Sequence, residues 1–259
     1  MIRKTFACLL LACLTSAAAW AQTADEIIEK HLQAIGGKDK LKAVQTQRLS
    51  GKMTMGQGME APFTMEMSRP NKMRMEFTIQ GMTGVQAFDG KTAWSLMPFL
   101  GKTEPEAAPA EETKQMAEQA DMDGLLLDYK EHGRTVEYAG KEDLEGTPVY
   151  KLKVTRKSGD VAYVYIDAEQ YLQLKQTSKT TIRGQEVEGE VTFGDFKKVG
   201  DLVVPHSIEQ KAKGAPAGMV MTITKVEINP GVADDRFAMP AAGKKEPAAA
   251  PKPPAPPVR

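Results

Sequence analysis

The feature that most constrains this chain is a period of two. From residue 46 onward apolar and polar side chains alternate in short runs, as in Tyr150, Leu152 and Val154 set against Lys151, Lys153 and Thr155. Turn residues such as Ser158-Gly159-Asp160 separate neighbouring runs. Successive side chains of a strand point to opposite faces, so each run describes a ribbon with one buried and one wet side. The spacing predicts strands near 46–56, 61–69, 72–80, 83–89 and 92–97, then 134–140, 147–157, 160–167, 170–181, 186–198, 202–212 and 218–229. The chain is therefore mainly β, with about 11 strands following one another in antiparallel order.

Two segments depart from this period. In TADEIIEKHLQAIGG, Thr23 and Glu26 fit a capping box, Ile27, Ile28, Leu32 and Ile35 share one helical face, and Gly36-Gly37 ends the run. The second departure is an insertion at about 104–133 that opens on the Pro- and Ala-rich TEPEAAPA and continues from Glu111 to Glu131. There Met116, Ala120, Leu125, Leu126 and Tyr129 recur at helical spacings, and two short helices broken near Asp123-Gly124 fit best.

The N-terminus reads as a secretory signal peptide over residues 1–21. Arg3 and Lys4 precede an apolar run from Phe6 to Leu14, and Ala19-Trp20-Ala21 supplies a cleavage pattern before Gln22. The run is far short of the roughly 20 residues of a membrane span. Leu10-Leu11-Ala12-Cys13 loosely matches a lipobox, which would leave the chain anchored through Cys13, but that reading leaves Ala19-x-Ala21 unexplained. The only cysteines, Cys8 and Cys13, lie in this leader, so the mature chain is expected to lack disulfides and thiolate chemistry. Residues 22–240 form one domain in this reading, with a formal charge of −5, which offers no electrostatic footprint for nucleic acid. Residues 241–259, rich in Pro, Ala and Lys, read as an extended, disordered tail.

Two hairpins are more specific. In SRPNKMRMEF, Pro70 closes one strand and Met73, Met75, Phe77 and Ile79 alternate in the next; in FDGKTAWSLMPF, Asp89-Gly90 turns the chain before Thr92, Trp94 and Leu96. In order and separation these segments resemble the RPN and DGKTxW…PF segments of the periplasmic lipoprotein carriers, the LolA/LolB-like family, and Asp234 to Pro240 echoes a Phe-x-x-Pro near the carriers' C-terminus. The resemblance implies a curled, incompletely closed antiparallel β-barrel with an N-terminal helix and a helical lid over an apolar hollow. It implies that Arg69 latches the lid, that Trp94 and Phe99 belong to the cavity wall, and that the apolar face of the lid comprises Met116, Leu125, Leu126 and Tyr129. The partners it implies are an acylated lipoprotein or lipid, an inner-membrane releasing complex and an outer-membrane acceptor, served by a monomer in the periplasm. This chain departs from the carriers in length, in its methionine load and in its tail.

Methionine usage bears on the ligand. Eight methionines fall between Met53 and Met82, including Met53/Met55, Met65/Met67 and Met73/Met75, and residues two apart on a strand share a face. Thioethers on flexible stems adapt to ligands of varied shape, which suits acyl chains, and they also fill ordinary cores. With Phe77, Trp94 and Phe99, these six residues are the expected cavity lining. Soft thioethers also select Cu(I), which keeps a copper-binding reading open. His31, His132 and His206 lack metal-ligand spacing and read as surface or helix-terminal residues. No GxSxG, HExxH, GxxxxGK[ST] or GxGxxG is present, so neither catalytic residues nor a cofactor are expected. The functional expectation is a non-enzymatic carrier of acyl chains, with a lipid- or protein-sensing regulator on the same fold as the alternative.

Overall fold

A computed structural model describes residues 23–182 and 185–241. The leader with Cys8 and Cys13, the cleavage point after Ala21 and the tail beyond Ala241 lie outside the described residues.

The first helix, α1 (Ala24–Ala34), begins with the expected capping box: Thr23 accepts from Glu26 N–H, and the Glu26 carboxylate accepts from Thr23 N–H. Gly36 and Gly37 take positive φ, and a short second helix, α2 (Lys38–Ala43), follows. The strands are β1 (Thr46–Met55), β2 (Met59–Ser68), β3 (Lys72–Ile79), β4 (Met82–Phe88), β5 (Ala93–Met97) and β6 (Lys102–Ala107). Helix α3 (Ala110–Gln119) interrupts them, and β7 (Thr135–Leu144), β8 (Thr147–Thr155), β9 (Val161–Asp167), β10 (Gln173–Ile182), β11 (Gln185–Val199), β12 (Leu202–Ala212) and β13 (Met219–Ile228) complete the series.

All 13 strands belong to one antiparallel sheet in the order β6-β5-β4-β3-β2-β1-β13-β12-β11-β10-β9-β8-β7. Every neighbour is a hairpin partner except β1 and β13, which join the two meanders in the middle. The sheet is curled and does not close. The strand missing from the sequence reading is β6, whose residues fall largely in the expected insertion at 104–133; an edge strand tolerates Pro105 because one side of its backbone has no ladder to complete. The single departure from register in the β1–β13 seam lies at Gly51, where a Cβ would stand 2.0 Å from the Thr222 carbonyl oxygen. Only glycine allows that backbone approach.

The helices cover the inner face. Ile27, Ile28 and Leu32 of α1 and the chain at Leu125–Leu127 pack on Leu152, Val154, Ala162, Val164 and Ile166 of β8 and β9. Past α3 the chain runs as successive turns from Met122 to Gly133 and forms no second helix, contrary to the spacing of its leucines. Gly124, at φ 59°, falls where the helix was expected to break.

The outer face carries a feature that the alternation disguises. Arg48, Glu66, Arg74, Ala87 and Trp94 lie in one row across β1 to β5. Glu66 and Arg74 are 2% and 1% exposed, so these are not the solvated charges their spacing suggests. The chain after β13 covers them. Arg236 binds Glu66 and Glu76 at 2.8 and 2.7 Å, Arg48 binds the other oxygen of Glu66 at 2.9 Å, and Arg74 donates to Glu76 and to the Arg236 carbonyl. Trp94 donates to the Phe237 carbonyl at 2.9 Å, with the Arg74 guanidinium over its ring. Buried charges are tolerated only when paired and hydrogen-bonded, and the Asp234-Asp235-Arg236-Phe237 strap provides those partners.

His31 and His206 are buried, which corrects the surface reading for both, although His31 does sit in the last turn of α1. His31 Nδ1 donates to the Tyr171 carbonyl at 2.8 Å. Burial holds its pKa below the ordinary value, against the opposing effect of that hydrogen bond. A base whose folded pKa is depressed contributes stability that is complete above the unfolded value, near 6.5, and is lost as pH falls below it. Melting temperature should therefore drop between about pH 7 and pH 5, and His31→Leu should flatten the profile over that window in a calorimetric scan.

Candidate functional site

The inner face divides into three regions. Beneath α1 it is closed by the cluster on β8 and β9. Beneath α3, Met116, Ala117 and Ala120 pack on Met73, Phe88 and Ala93. Between these regions lies a floor of Leu49, Met53, Ala61, Phe63, Met75, Phe77, Met97, Met221 and Ile223. Around that floor Met55, Met65, Ile79, Phe99, Ile208, Met219 and Val226 are only half-buried. This middle region is apolar, and three of its seven half-buried side chains are thioethers.

The register shows why the methionines collect there. Met53 pairs with Met221, Met65 with Met75 and Met67 with Met73, all on the inner face. Phe99 reaches the same face from the turn after β5 and packs against Phe77 with the rings tilted and their centroids 5.7 Å apart. Gly84 makes room for it: a Cβ there would meet the Phe99 ring at 2.7 Å. Of the expected lining residues, Met53, Met55, Met65, Met75, Phe77 and Phe99 gather in this region. Met67 and Met73 lie under α3. Trp94 points the other way, into the outer-face cluster of Val85, Ala87 and Trp94, because its neighbour Ala93 takes the inner position.

The expected lid residues likewise separate into two patches. Met116 packs on β3 and β4 through α3, whereas Leu125 and Leu126, with Leu127, pack beside α1, and Tyr129 is half-buried against them. The segment between β6 and β7 therefore crosses from one end of the inner face to the other. Ion pairs tie it along the way. Lys114 meets Asp160 at 2.7 Å and Arg156 meets Glu118 at 3.2 Å, on the β8–β9 turn. Asp128 receives Lys38 and Lys42 of α2, both at 2.5 Å, and Asp25 of α1 receives Tyr129 and Lys130. Arg134 binds Asp121 and the Gly124 carbonyl.

Arg69 sits at the centre of this tethering. Its Nε donates to the Val44 carbonyl at 2.7 Å, one Nη donates to the Leu41 carbonyl at 3.2 Å, and the other pairs with Asp123 at 2.5 Å. His132 reaches the second oxygen of Asp123 at 3.1 Å. A planar guanidinium suits this role because its donors diverge in fixed directions. The carbonyls it satisfies belong to the end of α2, and the crossing segment contributes a carboxylate. Asp123 and Asp128 were not among the residues singled out from sequence, because an acidic residue in a turn ordinarily faces water. Separately, a cleft of about 380 Å³ lies between α2 and the β11–β12 turn, lined by Val44, Val199, Leu202 and Ile228, with Lys40 and Asp201 at its rim.

Solved structures match this fold. A DUF1329 family protein from Desulfovibrio piger superposes with a TM-score of 0.60 at 12% identity, over 84% of this chain and 98% of that one. A putative outer membrane lipoprotein-sorting protein domain from Vibrio parahaemolyticus gives 0.56 at 14% identity, over 82% and 94%. A LolA superfamily protein from Nitrosomonas europaea gives 0.54 at 12% identity, over 84% and 98%. The chain has a LolA-like fold. No family model matches the sequence, and no curated relative matches it. Among the described residues no helix of this LolA-like chain is long and apolar enough to cross a membrane, which says nothing about spanning by strands.

The tethers of this LolA-like fold can be tested one at a time. Arg69→Leu should cost about 2–3 kcal/mol, since it removes a donor from the Val44 and Leu41 carbonyls and the cation facing a largely buried Asp123, which keeps only His132, while leaving the sheet intact. Hydrogen exchange should accelerate across residues 121–134 and hardly change in β8 and β9. Asp25, Asp128 and Asp160 are all held below the usual carboxylate range by their hydrogen bonds, chiefly from Tyr129, Lys38 and Lys114 respectively. Stability from a depressed carboxylate is present above its unfolded value and lost as pH falls through the folded one. Exchange in residues 110–134 should therefore rise below about pH 4, before the β1–β13 seam opens.

Proposed function

We propose that this protein is a non-enzymatic periplasmic carrier that shields acyl chains of lipoproteins or similar lipids on the inner face of its sheet. The observation that carries the reading is the half-buried, thioether-rich middle region, left between two helix-covered ends and crossed by a segment held through ion pairs. Each methylene removed from water stabilises by about 0.8 kcal/mol, so an acyl chain needs a continuous apolar surface more than it needs specific polar contacts. Methionines supply such a surface and adapt to chains of different length. The α3 segment serves as the lid. Most of its tethers keep one exposed partner and are worth little, whereas Arg69–Asp123 and Arg134–Asp121 are largely buried, so ligand binding has to offset chiefly these two for the segment to move without unfolding the sheet. The likeness in fold to a lipoprotein-sorting domain supports the same reading, as does the N-terminal segment, which has the pattern of a secretory leader.

A fluorescent fatty-acid probe should bind the purified protein in the micromolar range. Replacing Met55, Met65 and Met219 by glutamine should weaken binding at least about tenfold while shifting the melting temperature little, because none of the three is fully buried. Failure of the folded wild type to bind any acyl probe would overturn the proposal. Binding without transfer to acceptor vesicles would favour the regulatory alternative over the carrier.

A further inference from the structure

The cluster beneath α3 has an unusual composition. Met73, Phe88, Ala93 and Ala120 are its buried members, and Met65, Met67, Ala108, Met116 and Ala117 pack against them. It thus consists of four methionines, four alanines and one phenylalanine. Three elements supply the thioethers: Met65 and Met67 from β2, Met73 from β3 and Met116 from α3. Met67 and Met73 are direct cross-strand partners, and Met65 is two residues from Met67 on the same face. Directly opposed residues of an antiparallel pair have Cβ atoms about 5 Å apart, and same-face neighbours along a strand are nearly 7 Å apart. Each methionine has a Cβ–Cγ–Sδ arm and three rotatable bonds, so sulfurs at such corners can turn toward a common centre while Met116 caps it from the helix.

We infer that Met65, Met67, Met73 and Met116 form a binding site for a soft monovalent cation, Cu(I) in the cell, which pins α3 to β2 and β3. Neutral thioethers are poor ligands for hard or borderline cations and good ones for Cu(I). The surroundings reinforce that choice. Among the described residues no group of three or more His, Cys, Asp or Glu could hold a metal ion. The alanine methyls keep the wall apolar and small. A packed core of the usual kind would mix branched aliphatic residues at these positions, and none occurs in this cluster. The consequence is mechanical. A bound ion joins the crossing segment to the sheet at its α3 end, opposite the end where Leu125–Leu127 are buried against α1.

The site shares Met65 with the middle region, so its test is made at Met67 and Met116, which lie outside that region, and does not depend on acyl binding. Ag(I) is the probe, in chloride-free buffer, with Cys8→Ser and Cys13→Ser in the full chain so that thiols do not compete. Native mass spectrometry at equimolar silver should show one bound ion, and hydrogen exchange across 110–119 should slow when it binds. Met67→Leu and Met116→Leu should each weaken silver binding at least about tenfold, with little change in metal-free melting because leucine conserves volume. Met59→Leu and Met239→Leu, which alter exposed methionines, should bind as the parent does. Absence of a silver adduct at equimolar metal would overturn the inference. So would an adduct that survives the Met67→Leu/Met116→Leu double variant, or one that disappears with the exposed controls. If silver binds as expected while acyl probes do not, the metal site stands and the carrier proposal falls.

Discussion

The pairing of β1 with β13 governs the rest of this molecule. Two meanders, one running from β1 to β6 and the other from β7 to β13, meet back to back at that seam. Because the first and last strands are used up in the middle, the two free edges of the sheet are β6 and β7, which are consecutive in the chain. Whatever connects them must travel across the mouth of the curled sheet. The position of the α3 segment is thus a topological consequence of the seam, and its docking residues only decide how firmly it is held. The seam itself depends on Gly51, since any side chain there would collide with the Thr222 carbonyl.

The two faces of the sheet solve opposite problems. On the outer face, charged side chains are buried under a short strap and must be paired almost completely, which leaves Arg48, Glu66, Arg74, Glu76 and Arg236 as one network. Such a network is costly to break and rigid. On the inner face the contacts are apolar and undirected, and methionine tolerates several packings. The outer face is thus fixed by directional contacts and the inner face by adaptable ones.

The crossing segment is held by a third kind of contact. Its ends are fixed by apolar burial, at Met116 and Ala120 on one side and at Leu125–Leu127 on the other. Between and beside them, Asp121, Asp123 and Asp128 reach basic partners at the start of β7, at the end of β2 and on α2. These contacts are directional and exchangeable with water, unlike the buried leucines. Arg69 joins this segment, through Asp123, to the C-terminal end of α2.

Most of the architecture was legible in the residues themselves. Period-two alternation marks strands because a pleated ribbon has two faces, and the Thr23–Glu26 box and Gly36-Gly37 mark α1 because helix ends have unpaired backbone groups. The strand β6 escaped because edge strands need neither alternation nor freedom from proline. The methionines at 53, 55, 65 and 75 could be assigned to one face from spacing alone, and the structure places them together. Trp94 could not be assigned in the same way, since alternation says that it opposes Ala93 but not which of the two faces is inner. The partners of Arg69, the burial of Glu66 and Arg74, and the four-thioether cluster beneath α3 came only with the tertiary structure. Each depends on residues far apart in the chain, and local sequence reports the periodicity of an element but not what another element will lay over it.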